Sequence, residues 1–404
     1  MGCTSSVAEK LKKESIAILE KNRRVVDGYT YTVPSPTAYP HQWLWDSCFH
    51  AIALSHIDIS VAEDELRALV SHQFENGMIP HMIYWQKDNG SFVDIEWGKE
   101  GTSAITQPPM IAYAVLQIYQ QNNETAFLSE MYPYMHRFYT YLLTQRDPRG
   151  NHLIGIINPD ESGEDNSPRF DIPLGLPHQH SLAENTKRRF DLFKKNIACD
   201  FDAPHCMKNF FWVKDVPFNA IMVKNLECLA RIATLLGNHD DVATYKKEMD
   251  AIRRAMRERM YEDGVYLSTY GADYKTIHTH TWAIFAPLFA GLYSREEAEK
   301  LILTHLRNPA EFDAVCGVPT VAKNDPAYDP VGFWRGPVWM SVHWFISKGL
   351  RGYGFHNEAD RIVQKSCELI QRSGFREYYH PDTGEGLGAV DFTWSALIVD
   401  MIND

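Results

Sequence analysis

The 404-residue chain contains no stretch of about 18 consecutive apolar residues, so nothing in it reads as a membrane span. Its N-terminal segment lacks the apolar core of a signal peptide. The opening Met-Gly-Cys-Thr-Ser-Ser fits an acylation pattern at Gly2, but that pattern is short enough to arise by chance, and no membrane anchor is assigned. Basic charge is in deficit: 40 Lys and Arg face 52 Asp and Glu, a net charge of -12, which excludes a polyanion such as nucleic acid as the expected partner. Cysteine is sparse and scattered (Cys3, Cys48, Cys199, Cys206, Cys228, Cys316, Cys367). Only Cys199 and Cys206 are close in sequence, neither a zinc spacing nor a disulfide framework emerges, and a reducing, cytoplasmic setting is expected. There is no glycine-rich phosphate loop and no Gly-x-Ser-x-Gly elbow. His278 and His280 alternate, as do His178 and His180, without a clear third ligand, so no metal and no cofactor is expected.

Strand-like alternation is scarce too, whereas helical periodicity recurs from end to end. In 239–259, Val242, Tyr245, Met249, Ile252 and Met256 step by three and four, giving one buried face. In 215–237 the apolar residues surround the helix until Gly237 stops it. The contrast repeats along the chain. Charge-poor helices are expected at 43–55, 106–121, 215–237, 279–291, 334–351 and 391–402, and charged amphipathic ones at 7–24, 60–75, 124–146, 239–259, 295–306 and 356–373. Ser294 and Glu297 form a capping box, and Asn123-Glu124 signals the start of 125–146. Six buried helices alternating with six half-buried ones suit two concentric rings in a single domain over 1–404. No fixed sequence period supports a repeat array. The longest irregular stretch, 147–214, joins other long segments at one end of the barrel, where a pocket is expected.

That stretch holds Pro-Asp-Glu-Ser-Gly-Glu-Asp-Asn-Ser-Pro-Arg-Phe-Asp, residues 159–171, which crowds Asp160, Glu161, Glu164, Asp165 and Asp171 among turn formers. A solvated turn, a metal loop and a mount for one reactive carboxyl all compete, although EF-hand spacing is absent. Tyr39, Trp43, Trp45 and Asp46 gather at the start of the first inner helix. Trp43 and Trp45 cannot share a helical face, and Asp46 is either a cap or a ligand contact. His81 and Gln107 precede the second inner helix. Arg335, between Trp334 and Trp339, could pair a substrate carboxylate or an internal one. Glu377 sits among tyrosines, where apolar surroundings raise a carboxyl towards neutrality. Two carboxylate regions and abundant aromatics suit glycoside hydrolysis, which needs one acid and one base.

Four stretches, "QWLWDS", "ESGEDNSPRFD", "FWRGPVW" and "EYYHPDTGEG" followed by "FTWSAL", resemble in order and spacing glycoside hydrolase family 63, in particular its mannosylglycerate and glucosylglycerate hydrolases. The resemblance implies an all-α (α/α)6 barrel working with inversion. It implies Asp165, two places after the loop glycine, as general acid and Glu377 as general base. It maps sugar contacts onto Tyr39, Trp43, Trp45 and Asp46, with His81, Gln107, Trp334, Arg335 and Trp339 lining the pocket. Glu164 stands where a small or apolar residue is expected and should perturb Asp165. The basic run Lys187, Arg188, Arg189, Lys194, Lys195 is either solvated surface or an attractor for a glycerate carboxylate. A small α-glycoside, best a mannosyl- or glucosyl-glycerate, is the expected carbohydrate substrate. A kojibiose-, nigerose- or trehalose-type glucosidase, a sugar epimerase or isomerase, and a non-catalytic sugar-binding protein are the alternatives. The oligomeric state stays open between monomer and homo-oligomer.

Overall fold

The computed structural model describes residues 5–85, 98–99, 101–177 and 179–404. Gly2 and its acylation pattern, and His178, lie outside them. Helices α1 (Ser5–Asn22), α2 (Leu44–Ser55), α3 (Ile59–Val70), α4 (Ile111–Asn122), α5 (Thr125–Gln145), α6 (Leu182–Ala198), α7 (Ala203–Asn209), α8 (Val216–Leu235), α9 (His239–Arg259), α10 (Ala286–Phe289), α11 (Arg295–Leu301), α12 (Met340–Gly352), α13 (His356–Ser373) and α14 (Ile398–Ile402) follow in order. Helices α2, α4, α8, α10, α12 and α14, the last with its leading 3-10 turn Thr393–Leu397, touch neighbour to neighbour and close back on α2. Around this ring α3 packs on α2, α5 on α4, α9 on α8, α13 on α12, and α1 on α14 and its leading turn. The architecture is the expected (α/α)6 barrel. Among the described residues strands are confined to short hairpins and ribbons at the loops, such as Arg376–Tyr379 with Gly386–Val390.

The helix pattern follows from burial. Every residue of α2 is buried, because the inner ring has neighbours on all sides, and Leu44, Phe49, Ile52 and Leu54 are each at most 1% exposed. Each such side chain removed from water contributes roughly 1.5–3 kcal/mol. In α13 only the Ala359, Ile362, Val363, Ser366, Cys367, Leu369, Ile370 face is buried, as an outer helix requires. Val242 and Met249 of α9 pack partly buried against the core beside fully buried Ile252 and Met256.

Three inner segments depart from the expected continuous helices, and prolines explain two of them. Residues 279–291 split into a 3-10 turn Trp282–Ile284, capped by the Thr281 hydroxyl, and the four-residue α10 restarted at Pro287. Helix α12 starts only at Met340, after Gly336-Pro337 breaks the run from a 3-10 turn at Phe333–Arg335. The final segment enters α14 through its 3-10 turn.

The stretch 147–214 is not structureless. Ser181 and Glu184 cap α6 reciprocally, a helix start that the polar composition of the segment hides, and α7 follows. Cys199 and Cys206 are joined by a disulfide that ties the end of α6 to α7, against the expectation of unpaired thiols. Disulfides are uncommon in reducing compartments, so the reducing setting inferred from cysteine spacing loses its support. Among the described residues no helix is long and apolar enough to cross a membrane.

The stretch is fixed to the barrel by a buried ion pair. Arg146, just after α5, donates two hydrogen bonds of 2.7 Å to the Glu161 carboxylate, with side chains 1% and 0% exposed. Removing one partner of such a pair strands a charge in a low-dielectric interior. Glu161→Ala is therefore expected to lose about 3–5 kcal/mol of stability, read from the denaturant midpoint of unfolding; an unmoved midpoint would show that the pair does not hold this segment.

Candidate functional site

The acids of 159–171 are matched to arginines drawn from four places. Asn158 caps the 3-10 turn Pro159–Ser162, which fixes the local path. Glu161 takes Arg146 and also accepts from the Thr106 and Ile157 amides at 3.1 and 2.8 Å. Glu164 accepts both arms of Arg169 at 2.9 Å and the Trp282 indole N–H at 2.9 Å, while Arg169 Nε reaches Asp215 at 3.0 Å. Asp171 accepts both arms of Arg335 at 2.9 Å. Arg189 of α6 bonds Asp160 and reaches Asp165 at 3.0 Å. The segment is therefore an ion-paired, largely buried scaffold and not a solvated turn.

Asp165 differs from the other acids in exposure. Its side chain keeps 30% of its accessible surface, against 0–1% for Glu161, Glu164 and Asp171. Burial of the carboxyl pushes its pKa up to about 6; the Arg189 charge opposes the rise and the Asp160 charge adds to it. Glu164, expected to perturb Asp165, has its own carboxylate engaged by Arg169 and by the Trp282 indole.

Glu377 lies on the hairpin strand Arg376–Tyr379, at a register shift between Arg376 and Tyr378, the kind of bulge that re-aims a side chain. It is 5% exposed; Oε1 accepts from the Tyr39 hydroxyl at 2.6 Å and Oε2 from the Ala389 amide at 2.7 Å. Gly388 has φ +64°, and a Cβ there would sit 2.3 Å from Oε2, so only glycine lets the backbone wrap this carboxylate. Burial raises the Glu377 pKa, the Tyr39 and Ala389 bonds lower it, and the Asp165 charge raises it. Tyr39 is raised in turn by burial and then by Glu377 and Asp165. The two carboxyls thus share one electrostatic environment around Tyr39.

The other expected residues are held in different ways. Trp43 ends the strand Gln42–Trp43 and is half-buried, whereas Trp45 begins the helix and is 2% exposed, so the two do part as their spacing requires. Asp46 is buried, takes the Trp394 indole N–H at 2.6 Å and is pushed up to about 7 by burial; the N-cap position belongs to Trp43, so the capping role does not hold. Gln107 accepts from the Trp45 amide at 3.3 Å, and His81 bonds Ser103 at 2.6 Å with its imidazole lowered to about 4 by burial. Trp334 and Trp339 stack at 3.8 Å between centroids and are 2% and 1% exposed; they back the site, while half-buried Tyr39, Trp43, Phe333 and Tyr378 offer accessible rings. Arg335 is the internal clamp on Asp171. Of the basic run, Lys187, Arg188, Lys194 and Lys195 are exposed and Arg189 turns inward. Sequence reasoning missed Arg146, Arg169, Trp282 and Trp394 as supports. Arg169 and Trp394 stand inside the quoted motifs, but apart from Glu164 their partners Asp215, Thr281 and Asp46 lie far along the chain.

Gly163 joins the mount to the first inner helix. Its φ is +72°, and a Cβ would fall 2.2 Å from the Trp45 ring. Gly163→Ala is expected to displace the loop, and because misplacement by about 1 Å can cost on the order of 100-fold, kcat should fall by that order while circular dichroism stays helical. Unchanged kcat would separate Gly163 from the placement of Asp165.

Comparison with known proteins agrees with the geometry. Residues 39–395 match the mannosylglycerate hydrolase MGH1-like glycoside hydrolase domain. The chain is 31% identical to a mannosylglycerate hydrolase of Thermus thermophilus, over 95% of this chain and 98% of that one, and 30% identical to the glucosylglycerate hydrolase of Mycolicibacterium hassiacum, over 92% and 93%. The crystal structure of a glycoside hydrolase family 63 mannosylglycerate hydrolase from Thermus thermophilus in complex with Tris superposes with a TM-score of 0.90 at 31% identity, covering 98% of this chain and all of that one. The barrel, the mounted carboxyls and these likenesses together make this chain a glycoside hydrolase belonging to the mannosylglycerate hydrolase-like group of family 63.

Proposed function

We propose that the protein is an inverting α-glycosidase hydrolysing 2-O-α-mannosyl- or 2-O-α-glucosyl-glycerate, with residues 1–404 forming one catalytic domain, Asp165 as general acid and Glu377 as general base. The observation that carries this reading is the shared environment of Asp165 and Glu377 about Tyr39, in which one carboxyl is partly open and raised to about 6 and the other is held by two donors. Asp165 gives its proton to the glycosidic oxygen as the bond to the anomeric carbon breaks. Glu377 takes a proton from a water whose oxygen attacks that carbon from the opposite face. The glycerate hydroxyl leaves, the sugar appears as the β-anomer, and the enzyme is left with Asp165 ionised and Glu377 protonated until solvent resets both. Inversion needs room for that water, at a carboxyl separation of roughly 6.5–9.5 Å.

Arg189 favours an acidic aglycone over a neutral disaccharide. It is the one member of the basic run bonded to the acid, and in the free protein its charge lowers the Asp165 pKa. A glycerate carboxylate arriving on the guanidinium draws that charge away and raises Asp165, so binding and protonation of the acid are coupled. The epimerase alternative would need a histidine to move protons, and His81 is buried, bonded to Ser103 and lowered to about 4. The glycosidase reading also agrees with the names of the relatives.

Assayed against mannosylglycerate, glucosylglycerate, trehalose, kojibiose and nigerose, Asp165→Asn and Glu377→Gln are each expected to lower kcat by roughly 100- to 10,000-fold on the preferred substrate; retained activity in both would overturn the assignment. The kcat/KM profile should be a bell. Its alkaline limb falls as pH rises through about 6, where Asp165 of the free enzyme loses its proton. Its acid limb falls as pH drops through the raised Glu377 value. Because Arg189 lowers the Asp165 pKa, Arg189→Gln should move the alkaline limb upward and raise KM for glycerate-bearing substrates only. A limb that stays in place would detach Arg189 from the acid.

A further inference from the structure

Beginning one residue before Thr281, three side chains from separate segments converge without a part in the chemistry above. His280 precedes the 3-10 turn Trp282–Ile284, His305 sits in a π-helical turn Ile302–Leu306, and Glu311 follows in the next loop. One ligand atom from each lies within 4.8 Å of the others. His305 Nδ1 is 2.6 Å from Glu311 Oε2, and the His280 and His305 rings meet edge to face at 5.5 Å and 84°.

The surroundings hold these groups ready. His305 and Glu311 are 14% and 13% exposed, so both are drawn in from solvent yet reachable. Glu311 Oε1 accepts from Asn308 at 3.1 Å, which orients the carboxylate and leaves Oε2 towards the histidines. The His280 imidazole makes no hydrogen bond among the described residues, while its backbone carbonyl is fixed by the Ala322 amide at 2.9 Å. A π-turn is rare and frequently marks a working site; here one at the C-terminal end of α11 carries His305. His278 and Asp325 lie nearby.

We propose that His280, His305 and Glu311 bind one borderline divalent transition cation of the zinc class, with water completing the coordination, and that the ion clamps the three segments that carry them. Two imidazoles and one carboxylate suit such a cation better than calcium or magnesium, which take oxygen donors. The ion takes the place of the direct His305–Glu311 hydrogen bond. The next residue, Thr281, accepts from Arg169 at 3.1 Å, and Trp282 donates to Glu164, so the clamp bears on the supports of the acid without touching substrate.

The test uses untagged full-length protein stripped with a chelator, titrated with zinc chloride by calorimetry and with cobalt chloride by visible absorption. One saturable site per chain is expected, with zinc raising Tm. His280→Gln and His305→Gln should each weaken binding at least tenfold and abolish the Tm rise, whereas His239→Gln, an exposed histidine elsewhere, should change neither. Should both histidine variants misfold, Glu311→Gln serves in their place and must weaken binding tenfold or more. Absence of a saturable site, or full binding in His280→Gln and His305→Gln or in Glu311→Gln, overturns the proposal.

Discussion

The structure turns on the pairing of a cluster of carboxylates with four arginines, three brought from elsewhere in the chain and one, Arg169, from the segment itself. Alone, the acids between Asp160 and Asp171 would repel one another and drive the segment into solvent. Arg146, Arg169, Arg189 and Arg335 convert that repulsion into a fixed, buried scaffold. Breaking any of the fully buried pairs leaves a lone charge in a dry interior, so the pairs act chiefly as a requirement that the loop have one conformation and no other. A pair replaced whole by apolar residues could be as stable, but it would not place a carboxyl.

That placement is what the proposed chemistry would use. Glu161, Glu164 and Asp171 are each committed to an arginine by two hydrogen bonds, whereas Asp165 receives a single one from Arg189 and remains partly open. Its counterpart, Glu377, is wrapped by its own hairpin and by Tyr39. The scaffold therefore delivers two carboxyls with different partners into one electrostatic environment, which is the arrangement acid–base hydrolysis of a glycoside requires. The tryptophans contribute differently from what their motif positions suggest. Trp45, Trp334, Trp339 and Trp394 pack as a buried backing, and the accessible rings are Tyr39, Trp43, Phe333 and Tyr378.

Much of the barrel was legible because its two rings impose different burial on their helices. The apolar-all-round 216–235 and the one-faced 356–373 emerged where periodicity put them, the second to the residue. Legibility failed where backbone chemistry overrides periodicity, at Pro287 and at Gly336-Pro337, which cut expected inner helices short. It failed again in 147–214, where a polar composition concealed the capping box of α6. The motif containing Asp165 could be found in the sequence, and its function as a mount guessed, but not which arginine serves which acid. Arg335 and Asp171 lie 164 residues apart, and only the fold joins them. The same holds for the Cys199–Cys206 disulfide, which the turn between α6 and α7 closes although no cysteine framework announced it.

A water held between Asp165 and Glu377 and attacking opposite the departing glycerate would fix the stereochemistry of the first product. Proton NMR recorded during the first minutes of hydrolysis of mannosylglycerate or glucosylglycerate, before mutarotation equilibrates the sugar, reads it directly. The β-anomer is predicted to appear first; initial release of the α-anomer would contradict inversion by this pair of carboxyls.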